Sequence, residues 1–230
     1  MIMRRFVIGD IHGAHRAMMQ CFERSGFDRE QDLLVSMGDL GDGWPDTDKV
    51  FDELLTVKNL ILILGNHDLW LLKWLQTGAE PEIWLSQGGN DTINSLRNNP
   101  AESYRNLLES ARLYWITDNC LFVHGGIIPE IPLDKQDAQV FLWDRSLVMQ
   151  ALQSENTEIN SRLTTWDKVF VGHTPTINFD SLSPIITSGV YMMDTGAGWP
   201  GGVLTIMDID TEEYHSSEKV EKLYKNHTSR

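Results

Sequence analysis

Short apolar runs, each followed closely by glycine and polar side chains, constrain this chain more than any other feature of its sequence. The runs are rich in β-branched residues and are three to five residues long, which is typical of buried strands. They occupy positions 6–8, 33–35, 60–64, 121–123, 169–171 and 190–193. We therefore expect buried sheet strands that lead directly into polar loops.

Stretches with helical periodicity lie between the early runs. They span 15–24, 46–57 and 68–76, and a further candidate helix spans 100–112. A last strand is expected within 202–210, antiparallel to its neighbour and ending in a turn. Alternation of strands and helices predicts the α/β class.

Two segments break this alternation. Residues 77–99 mix glycines and a proline with large apolar residues, so we expect a loop-rich insertion at the rim of a site. Residues 216–230 are mostly polar or charged, which predicts a frayed surface helix. At 230 residues and 41% hydrophobic content the chain can bury one sizeable core, so a single domain over 1–230 is the simplest expectation.

Five of the predicted strands end in a phrase that combines glycine with aspartate, histidine or asparagine. The phrases are Gly9-Asp10-Ile11-His12-Gly13, Gly38-Asp39-Leu40-Gly41-Asp42, Gly65-Asn66-His67-Asp68, His124-Gly125-Gly126 and Gly172-His173-Thr174. The carboxyl ends of strands in an α/β sheet meet at one edge, where ligands bind in a crevice. We therefore expect the five phrases to converge on one place.

The residue types in these phrases indicate a pair of metal ions. Carboxylate, imidazole and amide groups without thiolates favour Mn²⁺, Fe or Zn over soft metals or Ca²⁺. Adjacent glycines let the backbone turn sharply and approach the ions. Two ions ~3.5–4 Å apart are a recurring device for phosphate ester hydrolysis, because they generate hydroxide near neutral pH and stabilise the attacking and leaving oxygens.

Taken in order, the five phrases resemble the motifs of the calcineurin-like metallophosphoesterases, specifically the phosphoprotein (serine/threonine) phosphatase branch with its bacterial and phage members. The likeness extends over about 8–196. Further landmarks similar to that family are Trp84-Leu85-x-x-Gly88-Gly89, Trp143-Asp144-Arg145 and Asp194-Thr195-Gly196-Ala197. The resemblance implies a central β-sandwich of mixed sheets flanked by helices, with the site at the strand ends.

The resemblance also implies which residues hold two divalent ions, with Mn²⁺ expected and Fe or Zn as alternatives. The implied ligands are Asp10 and His12 for the first ion, Asp39 as a bridge, and Asn66, His124 and His173 for the second. A water that bridges the ions would then attack phosphorus.

His67 and Asp42 are the implied catalytic pair. His67 would protonate the leaving alkoxide while Asp42 orients it, because an imidazole has a reference pKa of ~6.5 and a partner carboxylate favours its charged form. Arg145 and Asn66 are the implied phosphate-binding residues, and the planar fork of Arg145 matches phosphate oxygens.

One position departs from the family pattern. The second motif of the family continues Asp-Arg-Gly, and its arginine contacts phosphate, whereas here Asp42 is followed by Gly43. Another cation could take that place. The candidates are His15, Arg16 and Lys73, among which the sequence does not distinguish.

Several of these residues also have a plainer interpretation. Asp42 could cap the helix predicted from 46, and Arg145 could pair with a neighbouring aspartate on the surface. Trp70 and Trp74 are spaced by four residues and fit one apolar helix face, so core packing is favoured over substrate stacking.

Composition limits the expected partners. Lys plus Arg is 19 against 33 for Asp plus Glu, a formal net charge of −14, which disfavours bulk binding to nucleic acid. Cys21 and Cys120 are too few for a disulfide framework, so a reducing cytoplasm is expected. No stretch approaches the ~20 apolar residues of a membrane span, so no membrane partner is expected. The oligomeric state does not follow from the sequence.

Three functions fit these features. The first is a phosphomonoesterase acting on phosphoserine or phosphothreonine in proteins, with phosphotyrosine as a further substrate. The second is a hydrolase of small phosphates, such as a dinucleoside tetraphosphatase. Asp42 favours the first, because the resemblance implies that tetraphosphatases tend to lack it, whereas Gly43 counts against a standard protein phosphatase. The third is a non-catalytic metal-binding module, which the complete ligand set disfavours.

Overall fold

Two five-stranded mixed sheets lie at the centre of the molecule. The computed structural model describes residues 3–97, 102–154, 162–225 and 227. The strands are β1 Arg5–Ile8, β2 Leu33–Ser36, β3 Asn59–Leu62, β4 Tyr114–Thr117, β5 Cys120–Val123, β6 Lys168–Val171, β7 Ile185–Thr187, β8 Val190–Met192, β9 Thr205–Asp208 and β10 Tyr214–Ser216.

The first sheet has the order β10-β9-β1-β2-β3, and the second has the order β4-β5-β6-β8-β7. In the first sheet β1, β2 and β3 are parallel, β9 pairs antiparallel with β1, and β10 pairs antiparallel with β9. In the second sheet β5, β6 and β8 are parallel between antiparallel edges β4 and β7. The parallel strands of each sheet therefore deliver their following loops to one edge.

Helices cover the outer faces of both sheets. They are α1 His15–Ser25, α2 Thr47–Leu54, α3 Asn66–Thr77, α4 Glu82–Trp84, α5 Asn90–Leu96, α6 Glu102–Glu109, α7 Ala138–Trp143, α8 Ser146–Ser154 and α9 Val220–Leu223. A π-helical turn, Leu85–Gly89, joins α4 to α5, and 3₁₀ turns lie at Leu133–Lys135 and Thr176–Phe179.

Alternation along the strands sorts side chains into three apolar layers. In β1, Val7 packs into the layer between the sheets, while Phe6 and Ile8 pack against the helices of the first sheet. Phe122 and Phe170 stack in the middle layer with ring centroids 4.7 Å apart. A third layer joins the second sheet to α7 and α8. The predicted sandwich of mixed sheets flanked by helices is confirmed.

Every strand predicted from an apolar run is present, with bounds that differ by at most two residues. The unpredicted strands include β4 and β7, which lie at sheet edges and are mostly half-buried or exposed. Their edge position explains the partial exposure, but the apolar pattern was present in the sequence, as Tyr114-Trp115-Ile116 in β4 and Ile185-Ile186 in β7, and was not assigned to strands.

Residues 77–99 differ from the expected loop-rich insertion. The segment from 82 to 96 is helical, through α4, the π-helical turn and α5. The turn is kinked at Gln87 and Gly88, and Gly88 has φ 98°. A Cβ at Gly88 would lie 2.8 Å from the backbone of Asp42 and Gly43, so this glycine allows close packing rather than a loop. Residues 98 and 99 lie outside the described residues.

The 216–230 segment also differs from its expectation. Ser216 ends β10, and α9 follows with Val220 buried, as is Tyr224 just after it. The ring of Tyr224 stacks on Trp44 at 5.1 Å. A few apolar residues therefore dock this segment despite its polar composition; residues 226 and 228–230 lie outside the described residues.

Two further observations concern expected partners and thiols. Among the described residues, no helix combines the length and hydrophobicity that crossing a bilayer requires. Cys21 and Cys120 are both buried and form no disulfide, and burial raises the pKa of Cys21 to about 12 and also raises that of Cys120. These thiols are therefore poor nucleophiles near neutral pH.

Candidate metal centre and active site

Loops from both sheets bring the predicted ligands together in one buried cluster. Asp10 and Asp39 follow β1 and β2, Asn66 begins α3 after β3, and His124 and His173 follow β5 and β6. Each of these five side chains, like that of His12, is at least nine-tenths buried. The structure therefore assembles all six predicted ligands where the two sheets meet.

Within this cluster, two groups of three share one carboxylate. Asp10, His12 and Asp39 form one group and Asp39, His124 and His173 the other, with each group's ligand atoms within 4.8 Å of one another. Oδ2 of Asp39 lies 3.8 Å from Nε2 of His12 and 3.4 Å from Nε2 of His124. Asp39 thus occupies the position that a bridging ligand needs.

Left-handed backbone conformations aim several of these side chains. His12, Asp39 and His173 have φ of 52°, 50° and 61°. This region is unfavourable for most residues, although Asp and His tolerate it better than others, and surrounding hydrogen bonds must hold it. The carbonyl of Asp39 accepts bonds from the backbone N–H groups of Ile11 and His12 at 3.1 and 2.8 Å, which ties the first two ligand loops together.

Backbone carbonyls fix the imidazoles of His12 and His124. Nδ1 of His12 lies 2.9 Å from the Gly41 carbonyl oxygen, and Nδ1 of His124 lies 2.8 Å from that of Met37. Because a carbonyl oxygen only accepts, each Nδ1 must carry the proton and donate. Nε2 of each ring is then the atom that faces the cluster, as in histidines whose second nitrogen binds a metal.

Burial and mutual charge displace the pKa values in the cluster. Burial alone would raise the pKa of Asp39, but His124 and other imidazoles outweigh it and lower that pKa well below its usual value. Burial and Asp194 raise the pKa of Asp10. Burial opposes the charged form of His124, yet Asp39 and Asp10 raise its pKa to about 10, whereas burial and the charge of His124 lower the pKa of His173 to about 3.

The cluster fits divalent cations. Oδ1 of Asp10 and Nε2 of His173 are buried and make no hydrogen bond within the described part of the chain. An unpaired buried acceptor costs ~1–3 kcal/mol, a penalty that a coordinated cation removes. Carboxylates and imidazoles, with Oδ1 of Asn66 3.0 Å from Nε2 of His124, are donors that suit Mn²⁺, Fe or Zn.

His67 and Asp42, the predicted catalytic pair, are in direct contact. Nδ1 of His67 lies 2.8 Å from Oδ2 of Asp42, and both side chains are buried. The ring of His67 lies edge-on to that of His12, with centroids 5.2 Å apart. The pair therefore borders the metal cluster, and Asp42 does not cap α2 with its side chain.

Comparison with known proteins agrees with this geometry. The sequence profile of the calcineurin-like phosphoesterases matches residues 3–215. The chain belongs to this family. Members of the family bind two divalent metal ions and hydrolyse phosphoesters, so this chain is a metallophosphoesterase with candidate ligands for both ions.

Relatives of this phosphoesterase carry two kinds of name. It is 29% identical to serine/threonine-protein phosphatase 1 of Salmonella typhimurium over 89% of this chain and 91% of that protein. It is 33% identical to a symmetrical bis(5'-nucleosyl)-tetraphosphatase of Proteus mirabilis, but over only 56% of this chain and 46% of that protein. In fold it is similar to a protein provisionally assigned as a diadenosine tetraphosphatase, with a TM-score of 0.66 at 19% identity over 93% and 92% of the two chains.

Two residues that sequence analysis did not assign hold Asp42 in this phosphoesterase. The Trp84 indole N–H donates to Oδ2 of Asp42 at 2.6 Å, and the Thr92 hydroxyl donates to Oδ1 at 2.7 Å. Oγ1 of Thr92 also accepts from the backbone N–H of Asp42 at 2.7 Å. The sequence feature that pointed to this segment is the family landmark at Trp84, Gly88 and Gly89, which packs directly against the Asp42 loop.

Asp68 is a third residue whose role sequence analysis missed. Its fully buried carboxylate accepts from the backbone N–H groups of Leu40, Asp39 and Gly65 at 2.8, 2.8 and 2.9 Å. Burial and the Asp39 charge raise the pKa of Asp68 to about 6. Asp68 thus links the loop after β2 to the loop after β3, and so holds the backbone that carries Asp39.

Two tryptophans form part of the rim of the site. Trp70 lies edge-on to His67 at 5.1 Å, and Trp143 contacts Trp70 at 5.4 Å and His173 at 5.7 Å. Both are half-buried. Trp70 and Trp74 also pack against the core, as the helical spacing predicts, so Trp70 belongs to the core and the rim at once.

Arg145 is exposed beside this rim. It forms no ion pair within the described ranges, while the Asp144 carboxylate accepts from Ser146 instead. The positive charge of Arg145 contributes to the low pKa of His173, which places the guanidinium within electrostatic reach of the cluster. The structure therefore leaves Arg145 available to an anion near His173.

None of the three proposed substitutes for the family arginine stands out as a phosphate ligand. Arg16 donates to the Leu223 carbonyl at 2.6 Å and lies near Asp46, His15 is half-buried, and Lys73 is exposed on α3. At the substituted position, the Gly43 carbonyl accepts from Nε2 of His227 at 3.3 Å. The C-terminal segment thus contacts the loop from which the arginine is missing.

Proposed function

We propose that this phosphoesterase hydrolyses phosphate monoesters, with phosphoserine and phosphothreonine in proteins as its substrates and phosphotyrosine as a further one. The 2.8 Å contact between His67 and Asp42, beside two ligand groups that share Asp39, is the observation that carries the proposal. A serine or threonine alkoxide is a poor leaving group and needs a proton, which a positioned imidazole supplies.

The proposal includes two divalent ions, Mn²⁺ first with Fe or Zn as alternatives. The proposed ligands are Asp10, His12, Asp39, Asn66, His124 and His173. When bound, such ions supply an acidified water and neutralise charge on the phosphate. The unpaired Asp10 and His173 atoms and the shared carboxylate of Asp39 support this arrangement.

Four side chains of the chain have proposed roles in the reaction. His67 donates the proton to the leaving oxygen, and Asp42 holds the Nδ1–H of His67 so that Nε2 faces the substrate. The exposed guanidinium of Arg145 binds phosphate oxygens near His173. With Oδ1 of Asn66 directed at His124, the amide N–H₂ of Asn66 is left to donate to the phosphate.

A second candidate function is hydrolysis of dinucleoside tetraphosphates. The observation that favours it is the pair of half-buried tryptophans, Trp70 and Trp143, next to His67 and His173. Aromatic rings at a rim offer a stacking surface for a purine base. The absence of an arginine at Gly43 agrees with a substrate outside the standard protein phosphatases.

One comparison tests both candidates. We would load the protein with Mn²⁺, verify turnover of p-nitrophenyl phosphate, and measure kcat/KM for a phosphoserine peptide and for diadenosine tetraphosphate. The first proposal expects the peptide to be preferred, and a higher value for the dinucleotide would replace it with the second. Bound metal without turnover of any of the three compounds would instead favour the non-catalytic module.

A further inference from the structure

A cleft of about 420 Å³ lies between the start of α1, the loop after Asp42, and residues 222–225 and 227 of the C-terminal segment. Its lining combines cationic and apolar side chains. It includes Arg16, Pro45, Lys222, Tyr224, Lys225 and His227. We call it the cationic cleft; none of the predicted metal ligands lines it.

The cationic groups of the cleft fall into two kinds. Arg16 is held by the Leu223 carbonyl and lies over the Tyr224 ring at 4.5 Å, so it is a fixed part of the wall. Lys222 and Lys225 are exposed, and neither forms an ion pair with any described residue. These two ammonium groups are therefore available to a ligand.

Nearby acidic side chains already have partners. Asp46 pairs with Lys49 at 2.6 Å, Asp91 lies 3.4 Å from His227, and Glu221 accepts from the Gly201 backbone at 3.0 Å. The cleft thus gathers unpaired positive charge on a chain whose formal net charge is −14. A positively charged cleft on a negatively charged protein attracts anionic ligands more strongly than the rest of the surface does.

The cleft adjoins the loop that follows Asp42. Pro45 of this loop lines the cleft, the Gly43 carbonyl accepts from His227, and the Trp44 backbone N–H donates to the His12 carbonyl at 2.8 Å. This loop therefore joins the cleft, through Pro45 and His227, to the active site, through Asp42 and the backbone of His12.

We infer that the cationic cleft binds an acidic peptide segment that flanks the phosphorylated residue of a protein substrate. The inference rests on the proposed function and specifies its substrate class. The lining favours a peptide over a bare polyphosphate, because Pro45 and Tyr224 offer apolar contacts to the aliphatic carbons of a peptide. Two flexible lysines act as point charges rather than a fixed phosphate-binding fork.

The test compares two phosphoserine peptides of equal length in the full-length protein loaded with Mn²⁺. One carries glutamates on both sides of the phosphoserine, and the other carries glutamines. We expect kcat/KM to be about tenfold higher for the acidic peptide, chiefly through KM, and the preference to shrink as salt is added. In Lys222→Gln/Lys225→Gln the ratio should fall to near one.

Lys135→Gln is the matched control, because Lys135 is an exposed lysine on a 3₁₀ turn outside the cleft; it should keep the wild-type ratio. Turnover of the glutamine peptide reports the amount of folded enzyme in each variant. Equal kcat/KM for the two peptides, or a preference that survives in the double lysine variant, overturns the cleft's role alone. Turnover of p-nitrophenyl phosphate with no turnover of either peptide removes the proposed function and the cleft's role with it.

Discussion

The indole N–H of Trp84 donates a 2.6 Å hydrogen bond to Oδ2 of Asp42, the same oxygen that faces His67. Thr92 occupies the other carboxylate oxygen, and the whole group is buried. Asp42 therefore cannot rotate without breaking several hydrogen bonds. The orientation of His67 depends in this way on a segment, 84–92, that carries none of the proposed ligands.

Trp84→Phe and Thr92→Val should weaken catalysis by loosening Asp42. Losing one hydrogen bond to a buried carboxylate costs ~1.5–3 kcal/mol, so we expect kcat on an alkyl phosphate to fall by about tenfold or more, with both metal ions retained. The assay is kcat together with metal content. Trp74→Phe is the control, since it removes an indole N–H that donates to Glu80 at 3.2 Å rather than to Asp42. An equal loss in the control would contradict the role of Trp84.

His67→Asn should damage proton transfer while leaving metal content intact. Positioned acid groups contribute ~10²–10⁴-fold, so kcat on an alkyl phosphate should fall by about that factor. The loss should be smaller on p-nitrophenyl phosphate, whose leaving group needs less protonation. Asp42→Asn should follow the same pattern at smaller size. Loss of a metal ion, or equal slowing of both substrates, would show that His67 is not the general acid.

Asp39→Asn should cripple activity more than Asp10→Asn. Asp39 belongs to both groups of candidate ligands, whereas Asp10 belongs to one. We therefore expect Asp39→Asn to reduce the content of both ions, and Asp10→Asn chiefly that of one, measured by elemental analysis alongside kcat. Mild and equal effects of the two substitutions would remove the bridging assignment.

Chelation should abolish phosphatase activity, and Mn²⁺ should restore it best. Mixed oxygen and nitrogen donors without thiolates motivate this expectation, because they match the preferences of Mn²⁺ better than those of softer ions. The measurement is p-nitrophenyl phosphate turnover after removal of metal and after titration with Mn²⁺, Zn²⁺, Fe²⁺ or Mg²⁺. Full activity in the stripped protein would contradict the binuclear centre.

The ion pair between Arg5 and Asp210 should make a pH-dependent contribution to the free energy of unfolding. Hydrogen bonds from Arg5 hold the pKa of Asp210 below its usual value. The stabilisation by this pair is therefore complete above the pKa of Asp210 in the unfolded chain, and it is lost as the pH falls through the lower pKa of the folded protein. Because the Asp210 side chain is 48% exposed, solvent screening limits the effect to less than ~1 kcal/mol. Asp210→Asn should lower the free energy of unfolding at pH 7 and do so less at pH 3, as measured by denaturant titration. Asp134→Asn, on an exposed turn, should change little at either pH.

Strand-end phrases made the convergence of the ligands predictable, because parallel strands deliver their following loops to one edge. Asp10 and Asp39 follow neighbouring strands, and this adjacency is readable from the chain. The landmark at Trp84, Gly88 and Gly89 marked this segment, but the hydrogen bonds of Trp84 and Thr92 to Asp42 did not follow from it, since they span 42 and 50 residues and depend on how a kinked helix packs. The packing of Tyr224 against Trp44 could not be predicted either, because a few apolar residues in a charged segment barely change its average composition.

The origin of the ligands from both sheets has a mechanical consequence. Asp10 and Asp39 belong to loops of the first sheet, whereas His124 and His173 belong to loops of the second. An ion held by residues from both sets of loops would link the two sheets. Its binding free energy would then add to the free energy that holds the sheets together. Removing such ions should therefore make this edge the first to open, while the apolar layer that Phe122 and Phe170 of the second sheet share with Val7 and Val35 of the first keeps the interior closed.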